Sequence, residues 1–343
     1  MKEISLHGSR ILIGEAVANI HKYLPSSHVV IITDGNVRKC YSELCNVFPT
    51  IEIETGEQHK TLNTISYIAS ELVHLEADRQ TFILGIGGGI VCDVVGFAAS
   101  IFMRGLPFGF VSTSLLSQVD ASVGGKNGVN YKGYKNMLGV FAQPQFVICD
   151  PQSMATLPQK EFAAGFAEIV KAAMLASASL FGYIENNVEK ALQKDPQTLE
   201  HLVYEAVKIK ADIVAVDERE QGERRKLNLG HTFAHAIEKN TPLTHGEAVS
   251  VGLCKAAQLA VMLGLMSAKE QKRVENILQR LTLPTAVDIP NSALCDAMRK
   301  DKKKSGTNIH VVLPITIGHC EVREIAIAAL NYLMSVDKTV VIL

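Results

Sequence analysis

The chain has 343 residues, 47% of them apolar, which exceeds the usual size of one domain and provides for two substantial cores. Lysine plus arginine total 34 against 35 aspartate plus glutamate, so no global charge directs the chain to nucleic acid, and no apolar run is long and uncharged enough to span a bilayer. The seven cysteines (Cys40, Cys45, Cys92, Cys149, Cys254, Cys295 and Cys320) form no C-x-x-C pair, and the opening MKEISLHGSRILIG is strand-like without a signal-peptide core, so a reducing cytoplasm is the expected setting.

Through residue 150, short apolar runs alternate with helical patterns: HVVIITD over 28–34, IEIETGE over 51–57, a helix over 61–75, TFILGIGGG over 81–89 and QFVICD over 145–150. That alternation predicts a layered α/β domain over residues 1–150. From Pro151 the apolar residues recur at helical spacing in EFAAGFAEIVKAAMLA, HLVYEAVKIKADIVAV and HGEAVSVGLCKAAQLAVMLGL. The spacing predicts a second, mainly helical domain over 151–343, with a short hairpin over 308–322 and a last helix in EIAIAALNYLMSV.

Gly85 and Gly87 to Gly89 fall between a buried strand and a helix starting near Ile90. Bare backbone there admits a phosphate close to the helix N-terminus, where oriented N–H groups favour an anion, although the pattern departs from G-x-G-x-x-G. Asp34 in TDGN and Glu57 in TGEQHK also follow apolar strands. Carboxylates at such strand ends accept hydrogen bonds from ribose hydroxyls, or serve as turn and cap residues. The three coincident strand ends point to a nucleotide.

Residues 110–139 read as a polar loop carrying Asp120, Lys126, Asn130, Lys132, Lys135 and Asn136 among glycines. Lys126, Lys135 and Asn136 suit a phosphate or carboxylate, since two supply charge and one a directional amide donor; Lys132 reads as solvated. Further on, NLGHTFAHAIEKNTPLTHGEAV places His231 and His235 one helical turn apart, and His245 follows a break at Pro242. Two readings stay open, a metal site or histidines that merely fill a helix. Glu168 and Lys171, one turn apart in AGFAEIVKAAM, suit an ordinary ion pair or the lining of a cleft. Glu168 with the histidines makes a Glu/His/His set fit for Zn2+.

The ordered series TDGN, TGEQHK, GGGIVCDVVGFAASIFMRG, LLSQVDASVGGKNGVN, YKNMLGVFAQP, GFAEIVK, RKLNLGHTFAHAIE, HGEAV and DKKK resembles the 3-dehydroquinate synthase family over nearly the whole chain. The resemblance implies a Rossmann-like NAD-binding domain, a helical metal-binding domain, an active site between them and a homodimer. By position it implies Glu168, His231 and His245 as ligands of zinc, with cobalt accepting the same set, and leaves His235 as a polar active-site group. Asp34, Asn36, Glu57, Lys60, Gly88, Gly89, Asp93, Thr113, Ser114 and Thr156 match the family's NAD positions. Asp120, Lys126, Lys135, Asn136, Lys171, Lys210, Arg224, Asn228 and His235 match its substrate pocket, Lys302 its phosphate contact, and Arg104 an arginine given across the dimer interface.

The implied reaction converts the small sugar acid 3-deoxy-D-arabino-heptulosonate 7-phosphate to 3-dehydroquinate by transient oxidation with NAD+, loss of phosphate, re-reduction, ring opening and an aldol closure. Lys210 separates the chain from 2-deoxy-scyllo-inosose synthases, which tend to carry an acidic residue there. Departures from the family pattern are Ser112, Asn127 and Ala234, none of them an implied ligand.

Overall fold

The computed structural model describes residues 1–25, 28–290, 304–305 and 308–330. The chain divides into two compact units, Met1–Phe162 with Leu199–Ala215, and Ala163–Thr198 with Val216–Leu343.

The first unit opens with a hairpin of β1 (Lys2–Leu6) and β2 (Ser9–Ile13), then alternates strand and helix. In chain order follow β3 (Val29–Asp34), α1 (Gly35–Cys40), α2 (Ser42–Val47), β4 (Thr50–Ile53), α3 (Leu62–His74), β5 (Phe82–Gly87), α4 (Gly89–Ile101), β6 (Phe108–Ser112), β7 (Lys126–Tyr131), β8 (Tyr134–Phe141) and β9 (Phe146–Cys149). Seven strands form one sheet in the order β1-β2-β9-β6-β5-β3-β4, parallel throughout except for β1. Every residue of β5, β6 and β9 is buried, which is why these strands read as continuous apolar runs instead of alternating ones. Their core gathers Leu12, Ile31, Phe82, Ile86 and Phe146, with the Phe82 and Phe146 rings stacked at 5.7 Å.

Strand order reverses beside β3. The chain steps outward from β3 to edge strand β4, then returns to β5 on the other side of β3. Connections that leave two neighbouring parallel strands in opposite directions open a crevice at their carboxyl ends. Asp34 ends β3 and Gly87 ends β5.

Residues 110–139, expected as a loop, contain the end of β6, a π-helical turn over Ser117–Ala121 and most of the antiparallel β7–β8 pair. That pair stands outside the main sheet, and most of β8 is exposed, so no apolar alternation marks it. Its strands meet through glycine: a Cβ on Gly128 would lie 2.5 Å from the Leu138 carbonyl oxygen. The Asn127 side chain is buried and satisfied, donating to the carbonyls of Gly125 and Ala142.

The helices that follow are α5 (Gln159–Ala176), α6 (Ala178–Leu192), α7 (Pro196–Val216), α8 (His231–Asn240), α9 (His245–Met262) and α10 (Ala268–Arg280). The 199–215 stretch of α7 belongs to the first unit, where Lys2 lies over the Tyr204 ring at 4.3 Å and His7 bonds the Val214 carbonyl at 3.2 Å. The sequence pattern placed this helix with the second domain. Amphipathic spacing says that a helix packs, not what it packs on. The second unit also contains a small antiparallel sheet of β10 (Lys304–Ser305), β11 (Asn308–Thr316) and β12 (His319–Ala326). The hairpin expected over 308–322 is there; of the helix expected in EIAIAALNYLMSV, Glu324–Ala326 continue β12, residues 327–330 are helical, and residues 331–336 lie outside the described residues. Pairing with Asn308 and His310 holds Glu324–Ala326 extended. Among the described residues, no helix is long and apolar enough to cross a membrane.

Candidate functional site

In the first unit the candidate residues gather where strands end. The Asp34 carboxylate accepts from the Asn36 and Val37 amides at 2.9 and 3.1 Å, capping α1, so it holds the turn as well as the strand end. Beside it, Gly88 caps α4, and Thr113 donates its amide to the Gly87 carbonyl at 3.0 Å. A Cβ on Gly87 would meet Val91 at 2.5 Å, so only glycine lets β5 turn this tightly into α4. Ser114 Oγ stands 3.3 Å from the point where a Gly88 Cβ would sit. The N-terminus of a thirteen-residue helix is therefore presented bare at the switch point of the sheet.

Lys60 is buried and paired with Asp93. Burial pushes the Asp93 carboxyl above its ordinary range, and Lys60 opposes that shift. Asn130 on β7 donates to Glu57 Oε1 at 2.8 Å and its amide reaches the Lys60 carbonyl at 2.8 Å, which ties the hairpin to the Glu57–Lys60 turn. Asn136, with φ 49, donates its amide to Asn130 Oδ1. Lys126, Lys135 and Asn136 are exposed on the hairpin, and Thr156 is exposed with its hydroxyl 3.6 Å from Cys40 Sγ. Lys210, buried on α7, donates to both the backbone carbonyl and the carboxylate of Asp120 at 2.6 Å.

In the second unit, Glu168 on α5, His231 at the first position of α8 and His245 at the first position of α9 bring one donor atom each within 4.8 Å of the others. Glu168 Oε1 lies 3.6 Å from Nε2 of His231 and 3.6 Å from Nε2 of His245. Those separations are too long for hydrogen bonds. Donors about 2.1 Å from a tetrahedral ion stand roughly 3.4 Å apart, so the set fits a shared cation. The Glu168 side chain is 2% exposed, and its Oε2 is paired with buried Lys171. Each imidazole is anchored through its other nitrogen: His231 Nδ1 lies 3.2 Å from the Leu229 carbonyl, and His245 Nδ1 lies 3.1 Å from Glu238 Oε1. Burial alone would hold the His245 imidazole below its ordinary value, but the Glu168 and Glu238 carboxylates push it up to about 10. With that proton lost, the His245 Nε2 would be free to hold a cation beside Glu168 and His231.

Helix packing produces the convergence. A Cβ on Gly246 would lie 2.1 Å from the Ala164 carbonyl oxygen, so α9 meets α5 backbone to backbone one residue after His245. A Cβ on Gly252 would lie 2.3 Å from the Gly230 carbonyl, which does the same for α9 and α8. Gly230 itself takes φ 77 at the start of α8, a turn that favours glycine. Glu247 then accepts from the backbone and hydroxyl of Thr244 at 2.8 and 2.9 Å, fixing where α9 begins.

His235 stays beside the trio, its ring edge-on to that of His231 at 5.7 Å. Arg224 is buried in a 3₁₀ turn over Glu223–Asn228; its guanidinium donates to the Glu218 carbonyl and its amide to Asp217. Asn228 donates to Glu220. Sequence reasoning missed this acidic bracket of Asp217, Glu218 and Glu220, and it missed Glu238. Only the run DERE, seven residues before Arg224, hinted at the first; nothing in the spacing marked the second. Lys302 lies outside the described residues.

Sequence models of the N-terminal and C-terminal parts of 3-dehydroquinate synthase match residues 50–164 and 165–304. A 3-dehydroquinate synthase of Pseudoalteromonas translucida is 42% identical over 302 residues, covering 85% of each chain. The chain belongs to the 3-dehydroquinate synthase family. As a member of this enzyme family it has the corresponding fold, an α/β unit with a parallel sheet and a mainly helical unit. A solved 2-epi-5-epi-valiolone synthase from Streptomyces hygroscopicus, with NAD+ and Zn2+ bound, superposes at TM-score 0.87 and 27% identity over 98% of this chain and 99% of that one. A 2-deoxy-scyllo-inosose synthase complexed with carbaglucose-6-phosphate, NAD+ and Co2+ shares the fold of this 3-dehydroquinate synthase family member, at TM-score 0.87 and 22% identity over 97% and 99%.

Proposed function

We propose that the chain converts 3-deoxy-D-arabino-heptulosonate 7-phosphate to 3-dehydroquinate and phosphate, a carbon-oxygen lyase reaction that uses NAD+ and a divalent metal, zinc or cobalt. The observation that carries this reading is the Glu168, His231 and His245 cluster, which lies wholly within the matched C-terminal part of the family. When bound, the metal supplies Lewis-acid polarisation of a hydroxyl or carbonyl oxygen, and NAD+ takes up and returns a hydride.

The chain's own residues do the rest. Asp34, Asn36, Glu57, Lys60, Gly88, Gly89, Asp93, Thr113, Ser114 and Thr156 hold the dinucleotide, with the bare start of α4 receiving its pyrophosphate. His235 moves the proton of the hydroxyl to be oxidised, since an imidazole exchanges protons near neutrality. Lys126, Lys135, Asn136, Arg224 and Lys302 bind the phosphate by charge-assisted hydrogen bonds. Lys171 pairs with Glu168 and supplies a second cation near its carboxylate, while Asp120, Lys210 and Asn228 orient the sugar hydroxyls and carboxylate. Lys210, held by Asp120, favours this substrate over that of the inosose synthases.

The proposal extends to a pair of chains in a reducing cytoplasm, each chain lending Arg104 to the other. Arg104 is exposed and takes φ 71 between Met103 at φ 49 and Gly105 at φ 120. Beside it, Ile101 and Met103 are 46% and 43% exposed and rim an apolar hollow lined by Ile65, Ile68, Leu72 and Phe102. Exposed apolar side chains grouped around a hollow are the kind of surface that a partner covers.

The test follows phosphate release from the sugar acid phosphate while absorbance at the nicotinamide wavelength is read in the same cuvette. Phosphate release that requires NAD+ and metal, without net NADH, is the expected result. Steady NADH accumulation would show a dehydrogenase, and no turnover would reassign the chain to another cyclase substrate.

A further inference from the structure

Helix α8 places His231, His235 and Glu238 at i, i+4 and i+7, on one face. The first of these belongs to the donor trio, and the last reaches the trio from outside it. Glu238 Oε1 lies 3.1 Å from Nδ1 of His245, on a side chain only 4% exposed. The two histidines of the trio differ in how firmly the protein encloses them. His231 is 12% exposed and leans on a neutral carbonyl, whereas His245 is 31% exposed and leans on a carboxylate. The ring with more room to turn has the stronger anchor.

We propose that Glu238 is the positioning residue of this centre: it accepts the Nδ1–H of His245, fixes the tautomer and the plane of the ring, and so directs the Nε2 lone pair toward Glu168 and the cation. The inference rests on reading the trio as a metal centre. A carboxylate behind a ligating imidazole restrains its rotation and raises its basicity, and loss of such a partner typically weakens metal binding about 10- to 100-fold. Helix α8 thereby supplies one ligand directly and holds a second ligand that α9 carries. A purely structural Glu238 would change the unfolding midpoint and leave the bound metal untouched.

The experiment titrates Co2+ into metal-free full-length protein, reading the visible band and the Kd by competition with a chelator, for wild type, Glu238→Ala, Glu238→Gln and His231→Ala. The expected result is a band in wild type that His231→Ala abolishes, a Kd raised about 10- to 100-fold in Glu238→Ala with an altered band, and an intermediate Kd in Glu238→Gln. Glutamine keeps an oxygen at Nδ1 without the charge, so it rescues part of the affinity. Wild-type affinity and band in both Glu238 variants would overturn the inference while leaving the trio intact. A wild-type band that His231→Ala does not disturb would overturn the metal-centre reading and this inference with it. If Glu238→Ala does not fold, Glu238→Gln decides alone: a Kd several-fold higher supports the role, and an unchanged Kd refutes it.

Discussion

The two units present chemistry in opposite ways. In the sheet unit the candidate nucleotide site is largely backbone: a glycine turn, a helix N-terminus and a carboxylate that already caps the next helix. In the helical unit three side chains from three helices converge, and they do so because glycines let α9 approach α5 and α8 without intervening side chains. A backbone site depends on where strands stop, which the whole sheet enforces. A side-chain site depends on single contacts at helix crossings, so one methyl group there counts for more.

The largest expected effect removes a donor. His231→Ala should lower phosphate release at least about a thousandfold, through loss of Lewis-acid stabilisation of the transition state. Its urea midpoint, measured without metal, should stay near that of wild type.

A pair of glycine substitutions sharpens the contrast. Gly246→Ala drives a Cβ to 2.1 Å from backbone at Ala164, so α5 and α9 must separate. The expected cost is about 1–3 kcal/mol by urea unfolding, together with weakened metal binding. Gly88→Ala meets only Ser114 Oγ at 3.3 Å and keeps a φ of −78 that alanine tolerates. Its stability should change by less than about 1 kcal/mol while NAD+ affinity falls, as calorimetry would show. Equal destabilisation by the two would break the comparison.

Asp34→Ala removes both amide contacts at the start of α1 and should cost about 1 kcal/mol, most of it restored in Asp34→Asn. NAD+ affinity should not follow the same order, because the asparagine lacks the charge.

The smallest effect depends on pH and lies wholly in the first unit. Tyr23 and Asn19 donate to Glu15 at 2.6 Å, and these hydrogen bonds hold the Glu15 carboxyl below its ordinary value. Its contribution to stability is present above the unfolded value of 4.5 and is lost as pH falls through the lower folded value. The same bond pushes the Tyr23 phenol up to about 12, so that contribution is present below 10.0 and is lost as pH rises through about 12. Tyr23→Phe should therefore lower the urea midpoint most between these limits and least at either end.

Much of this architecture is legible in the sequence. Strands β3, β5 and β9 stand out as apolar runs because parallel strands are covered on both faces. The β7–β8 hairpin does not, since glycines set its strand spacing and a satisfied asparagine occupies an inward position. The histidines mark the limit more clearly. Spacing makes His231 and His235 equivalent, yet the cluster contains His231 and His245 and leaves His235 beside it. Glu238 and the Leu229 carbonyl anchor the two rings, and neither relation follows from a periodic pattern.

The most direct test of the account is an anomalous difference map from crystals grown with Zn2+, with data collected on both sides of the zinc absorption edge. One strong peak enclosed by Glu168 Oε1, His231 Nε2 and His245 Nε2 is expected. A metal bound elsewhere on the chain, with no peak among these three atoms, would contradict it.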